Sequence, residues 1–216
     1  MKSDKSLSRL CGWVAAAVLF GASAALASEP LPAPRQTGGM SLFEALKKRS
    51  SASGGYFSPA EITREELSAI LWAASGLNRG ENGWTVPMWR GAPPYCRVYV
   101  AASDGVFLYD WKNHRLEKIT DENIKGKIGK QDFVKKAYYT LIFVSDAGIL
   151  SRFDDADISR DFSHVAVGAM TQNVYLASAA LRIGARYIHS MNKGEISRAL
   201  KLPPGDTPIA LMLLGK

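Results

Sequence analysis

The string Lys48-Arg49-Ser50 is the part of this sequence best suited to hold an anion. A guanidinium offers a planar fork, an ammonium a point charge and a hydroxyl a single donor, a set that matches a phosphate monoester. Taken alone, the string equally suits a solvated helix end, so its meaning depends on what surrounds it. The residues that usually carry covalent chemistry are not arranged for it. No G-x-G-x-x-G follows a strand, and neither a P-loop nor a G-x-S-x-G elbow is present. His114, His164 and His189 stand 50 and 25 residues apart, with no H-E-x-x-H pair and no cysteine at ligand spacing, so no metal site is expected. Between Lys112 and Lys136, eight Lys and Arg face four acids. That balance solvates a surface, no aromatic–basic motif accompanies it, and nucleic acid is not an expected partner.

The elements that must position these residues follow from patterning. Residues 1–27 read as a signal peptide: Lys2, Lys5 and Arg9 form a basic start, Trp13 to Leu26 an apolar run, and Ala25-Leu26-Ala27 a small-x-small cleavage pattern. The run is too short to span a bilayer, so no stable membrane span is expected after cleavage, and the destination is the bacterial periplasm or the exterior. Residues 28–40, rich in Pro and Gly, read as a linker, and residues 41–216 as one domain. Of the 27 basic and 20 acidic residues, three and one lie in the leader, which leaves the remainder at +5. Cys11 lies in the leader too, and Cys96 remains alone as a small core residue.

Ser41 with Glu44 and Thr63 with Glu66 have capping-box spacing, which predicts helices over 41–49 and 63–75. Leu42, Ala45 and Leu46 form the apolar face of the first; Leu67, Ile70, Leu71 and Ala74 that of the second. Short strands are predicted over 98–101, 106–109 and 116–119, with a turn at Ser103-Asp104-Gly105. Tyr138 to Ser145 is dense in β-branched and aromatic residues and suits a central strand. Residues 162–183 are apolar almost all round, as in a helix at the centre of a fold or in a subunit interface, with Gly184 as its stop. A strand over 185–188, a helix over 192–200 and a strand over 208–214 complete an α+β pattern without steady βαβ alternation. The composition, 47% hydrophobic and 22% charged with two cysteines, excludes collagen-like, disulfide-scaffold and wholly disordered classes.

In this order the segments SLFEALKKRSS (41–51), EELSAILWAASGLNRG (65–80), WTVP (84–87), VYVAASDGVFLYD (98–110), GKQDFV (129–134) and TQNVYLASAALRIG (171–184) resemble the FMN-dependent nitroreductase family. Within it they are similar to a short exported subgroup related to the SagB-type oxidoreductases. The resemblance covers residues 41–216 and implies a nitroreductase-like α+β fold, with a central mixed sheet sandwiched by helices. It also implies an intertwined homodimer with FMN at its interface. The implied activity passes two electrons from NAD(P)H or another donor, through the flavin, to a nitroaromatic, quinone or similar small-molecule acceptor. No side chain need be catalytic, because the cofactor carries the chemistry. Position by position, Lys48, Arg49 and Ser50 match the flavin-phosphate motif. Lys216 matches a terminal cation aimed at the same phosphate, Asn78 and Arg79 match the N-R pair after the tryptophan helix, and Gln131 matches a pocket glutamine.

The sequence departs from that pattern in three places. Lys48 and Ala52 stand where the phosphate motif has its first and last arginines. Met88, Trp89 and Arg90 replace the polar ring contacts that follow WTVP, leaving Trp89 and Tyr95 as rings available for stacking. Tyr187-Ile188-His189-Ser190 replaces a glycine-containing turn. These losses define the alternative reading, an exported non-enzymatic protein of the same fold that has lost flavin and serves in binding or assembly.

Overall fold

The computed structural model describes residues 28–53, 57, 60–81, 83–86 and 93–216. The leader and the replacements Met88, Trp89 and Arg90 lie outside these described residues. In chain order the elements are β1 (Ser28–Pro30), α1 (Leu42–Lys48), α2 (Arg64–Ser75), β2 (Leu77–Arg79), β3 (Gly83–Trp84), β4 (Cys96–Ala102), β5 (Gly105–Asp110) and β6 (Arg115–Thr120). There follow α3 (Lys125–Ile128), a 3-10 turn (Asp132–Lys136), β7 (Tyr139–Ser145), α4 (Ala147–Leu150), α5 (Ala156–Leu181), β8 (Gly184–Ile188), α6 (Lys193–Ala199) and β9 (Thr207–Gly215).

Seven strands form one sheet in the order β1-β6-β5-β4-β7-β9-β8. Alternation along the strands sends Val98, Val100, Leu141, Phe143, Ala210 and Met212 to one face, where α2 and α5 pack. Tyr99, Ala101, Ile142, Val144, Leu211 and Leu213 go to the other, beneath α3, the 3-10 turn and α6. Burial on both faces explains why β7 and β9 read as almost continuous apolar runs. Leu67, Ile70 and Leu71 on α2 are wholly enclosed, each worth roughly 1.5–3 kcal/mol relative to exposure. Gly105 closes the β4–β5 turn at φ +139°, where a Cβ would lie 2.2 Å from the Thr120 carbonyl oxygen.

Four sequence expectations are corrected. The sheet is antiparallel at every described pairing rather than mixed. β7 and β8 do run parallel, but β9 inserts between them and pairs antiparallel with both. The linker reading of 28–40 fails at its start: Ser28–Pro30 pair with Arg115–Glu117 as an edge strand, and Leu31 is buried. The Glu29–Arg64 ion pair at 3.1 Å fastens that strand to α2. The long helix begins earlier than expected, because Asp155 caps it by accepting from the Asp157 and Ile158 N–H groups. It stops at Arg182, which is left-handed at φ 58°, so Gly184 is free to begin β8.

Candidate functional site

The anion motif sits where α1 ends. Ser41 Oγ accepts from the Glu44 N–H at 3.2 Å, but the Glu44 carboxylate pairs with Lys48 at 2.7 Å, so the reciprocal half of the capping box is missing. Lys48 is thereby held along its own helix. Arg49 caps the helix at φ −58° and ψ 123°, outside the helical region. Arg49 and Ser51 both reach Tyr175, and Ser50 is exposed. The Arg49 guanidinium lies 5.2 Å from the centroid of the Tyr175 ring, and Ser51 Oγ lies 2.8 Å from the Tyr175 hydroxyl. Among the described residues Arg49 has no carboxylate partner.

The next residue is bound to the sheet edge. The Ala52 N–H donates to the Ala185 carbonyl at 2.8 Å, and Arg186 Nη1 donates to the Ala52 carbonyl at 2.8 Å. Tyr175 completes the attachment, because its hydroxyl accepts the Tyr187 N–H at 2.8 Å. Residues 49–52 therefore form a strap along β8. Two residues beyond the end of β8, Ser190 Oγ accepts from Nε2 of Gln131, whose Oε1 is buried without a partner among the described residues. Phe133, two residues on, stacks under the Arg186 guanidinium at 5.1 Å.

The other expected residues are placed differently. Gly215 packs so closely on Phe57 that a Cβ there would lie 2.3 Å from its ring. Lys216 then turns to Glu66, with Nζ 2.8 Å from Oε2, the same oxygen that caps α2 through Thr63 N–H. The terminal cation is thus neutralised at the start of α2. Asn78 and Arg79 lie exposed on the β2–β3 hairpin. That hairpin is anchored by Asn173 Nδ2, which donates to the carbonyls of Ala73 and Thr85 at 3.1 and 3.0 Å. Asn173 and Tyr175 are two residues apart on α5, hence about 200° apart around the helix. The strap and the Asn78–Arg79 hairpin therefore stand on opposite sides of α5 within one chain.

Tyr95 is a packing residue rather than a free ring: it is buried against Phe153 and Phe162 at 6.1 and 5.7 Å. Cys96 is likewise enclosed, and burial pushes its thiol well above the ordinary range. The site residues that sequence reasoning missed are Ser51, Tyr175 and Arg186. Their signal was a tyrosine at a buried position of an apolar helix and a lone arginine in a strand, neither informative without the fold.

A seven-stranded antiparallel sheet between two helical layers defines an α+β protein. The model of the nitroreductase family matches residues 46–216, and this chain belongs to that family. A protein of Methanocaldococcus jannaschii assigned as a nitroreductase is 31% identical over 185 residues, covering 81% of this chain and 90% of its own length. A crystal structure of an assigned nitroreductase from Ralstonia eutropha superposes with a TM-score of 0.79 at 31% identity, over 88% of this chain and 89% of that one. The NADPH:FMN oxidoreductase of Vibrio harveyi complexed with NAD+ shares the fold at a TM-score of 0.55 and 20% identity, over 81% of this chain and 67% of that one.

Proposed function

We propose that the protein is an FMN-dependent oxidoreductase, active as a homodimer. It takes two electrons from NAD(P)H or another donor and passes them to a nitroaromatic, quinone or similar acceptor. The observation that carries this reading is the strap on β8. Among the described residues, Arg49 is a cation without a carboxylate partner, Ser51 is a hydroxyl held beside it, and Gln131 Oε1 is a buried acceptor without a donor. FMN presents a phosphate anion, and the Arg49 guanidinium and Ser51 hydroxyl, brought together on Tyr175, suit it.

When bound, FMN supplies the two-electron chemistry that no side chain offers. Arg49 and Ser51 would hold the phosphate by charge-assisted hydrogen bonds, stronger than neutral ones. Lys48 adds positive potential, shared with Glu44, and Ser50 faces solvent beside them. Gln131 would offer its Oε1 to a ring N–H once that enclosed atom is uncovered. Lys216 acts at one remove, by tying the end of β9 to α2. Asn78 and Arg79, across α5 from the strap, would contact the cofactor of a second copy rather than that of their own chain. Support for that second copy lies in the apolar side chains left in water: Leu42, Phe43 and Leu46 on α1 and Ile158, Phe162 and Val165 on α5, with Phe43 82% exposed. The family and the oxidoreductase whose fold this chain shares support flavin and nicotinamide use. The basic start, apolar run and Ala25-Leu26-Ala27 pattern support export.

Turnover tests the reading. The purified protein is expected to oxidise NADPH or NADH with a soluble quinone as acceptor, in a reaction that needs FMN. Arg49→Ala is expected to lower FMN affinity by about 10- to 100-fold, the value of a hydrogen bond to a charged group. A rate independent of added or bound FMN contradicts the assignment.

A further inference from the structure

We infer that Tyr175 is a positioning residue that makes this site select a phosphorylated flavin over an unphosphorylated one. The inference rests on the flavin reading above. It starts from the direction of two hydrogen bonds. The Tyr187 backbone N–H can only donate, so the Tyr175 oxygen, 2.8 Å away, accepts from it. The phenol is a better donor than an alcohol, so its own proton goes to the remaining neighbour, Ser51 Oγ at 2.8 Å. Ser51 Oγ is then an acceptor in that bond, and its hydroxyl hydrogen is left to point away from the protein. The chain Tyr187 N–H to Tyr175 O–H to Ser51 O–H thus ends in an outward donor, beside the Arg49 guanidinium that rests on the same ring at 5.2 Å. Successive donors in one chain polarise one another and strengthen the last.

The geometry is held on both sides. Tyr175 is only 9% exposed, on a helix packed against the sheet. The main chain that carries Ser51 is held, because Ala52 is fixed through its N–H to Ala185 and through its carbonyl to Arg186, each at 2.8 Å. An outward hydroxyl and a guanidinium side by side recognise the oxygens of a phosphate monoester, and riboflavin lacks that group. Tyr175 touches no ligand atom in this arrangement. Its contribution is to orient the two groups that do.

The test compares dissociation constants for FMN and for riboflavin, read by quenching of flavin fluorescence, in the full chain and three variants. Tyr175→Phe keeps the ring beneath Arg49 and removes only the hydroxyl. FMN affinity is expected to fall about tenfold, one hydrogen bond's worth to a charged acceptor, with riboflavin affinity unchanged. Ser51→Ala, on the exposed strap, is expected to give the same selective loss, and the double variant no further loss, since the two hydroxyls act as one unit. Equal loss of FMN and riboflavin in Tyr175→Phe overturns the inference, as do losses that add in the double variant. If the unaltered protein binds neither flavin, the flavin reading itself fails. If Tyr175→Phe does not fold, Ser51→Ala decides alone: an unchanged FMN to riboflavin ratio there refutes the inference.

Discussion

His114 joins three parts of the chain through one imidazole. Nδ1 lies 2.8 Å from the Tyr109 hydroxyl, and Nε2 lies 2.8 Å from Ser68 Oγ and 3.1 Å from the Pro32 carbonyl oxygen. Burial holds its pKa below the ordinary histidine value, against an opposing pull from the Pro32 carbonyl. A depressed value means that the folded state resists protonation that the unfolded chain accepts. This contribution to stability is therefore complete above about pH 6.5 and declines as the pH falls below it. The expected outcome is a lower Tm at pH 5.5 than at pH 7.5, with a smaller difference in His114→Gln; parallel profiles contradict it. The sequence showed His114 only as a lone histidine without a metal partner, because its neighbours are 5, 46 and 82 residues away along the chain. Ser50 and Ser51 carry a similar lesson. Motif register selects the first, but it is the second that meets Tyr175, and only the fold reveals which hydroxyl is held.

At the scale of elements, α2 and its caps bear the most testable load. The Thr63–Glu66 box is complete, with the Glu66 N–H donating to Thr63 Oγ1 at 3.3 Å and the Thr63 N–H to Glu66 Oε2 at 2.8 Å. Thr63→Ala is expected to cost about 1 kcal/mol in urea unfolding. Ser41→Ala is expected to cost less, because Glu44 returns nothing to that cap and α1 exposes most of its surface. Elements with a strong local signature were legible: β4, β7, β9 and α2 fall within two residues of their expected bounds, set by alternation, apolar density and capping. β1 was not legible, since three residues reading Ser-Glu-Pro carry no strand pattern and are placed by β6 and Arg64. The end of α5 misled for a related reason. Glycine is the usual left-handed terminator, yet here Arg182 takes that conformation and Gly184 serves the sheet.

For the whole molecule, the exposed apolar side chains of α1 and α5 and the separation of Arg49 from Asn78 across α5 lead to the same expectation. Two copies are expected to cover those faces and to complete each other's site. Light scattering on the purified protein is expected to give twice the 23.5 kDa of the full chain, reduced by any leader removed, and Phe43→Asp to shift it toward monomer. A monomeric wild-type protein contradicts the shared site. The fold class was legible because caps and strand patterns agree with one another. The site was legible only in part, because half of its contacts join residues more than a hundred positions apart, as Ser51 to Tyr175 and Ala52 to Arg186 do. The central claim is that this chain still holds FMN despite its altered ring-facing segments. The absorbance spectrum of the purified protein, before and after added FMN and desalting, tests it most directly. A yellow protein with flavin bands at one FMN per subunit is expected. A colourless protein that takes up no FMN contradicts it and favours the binding or assembly role.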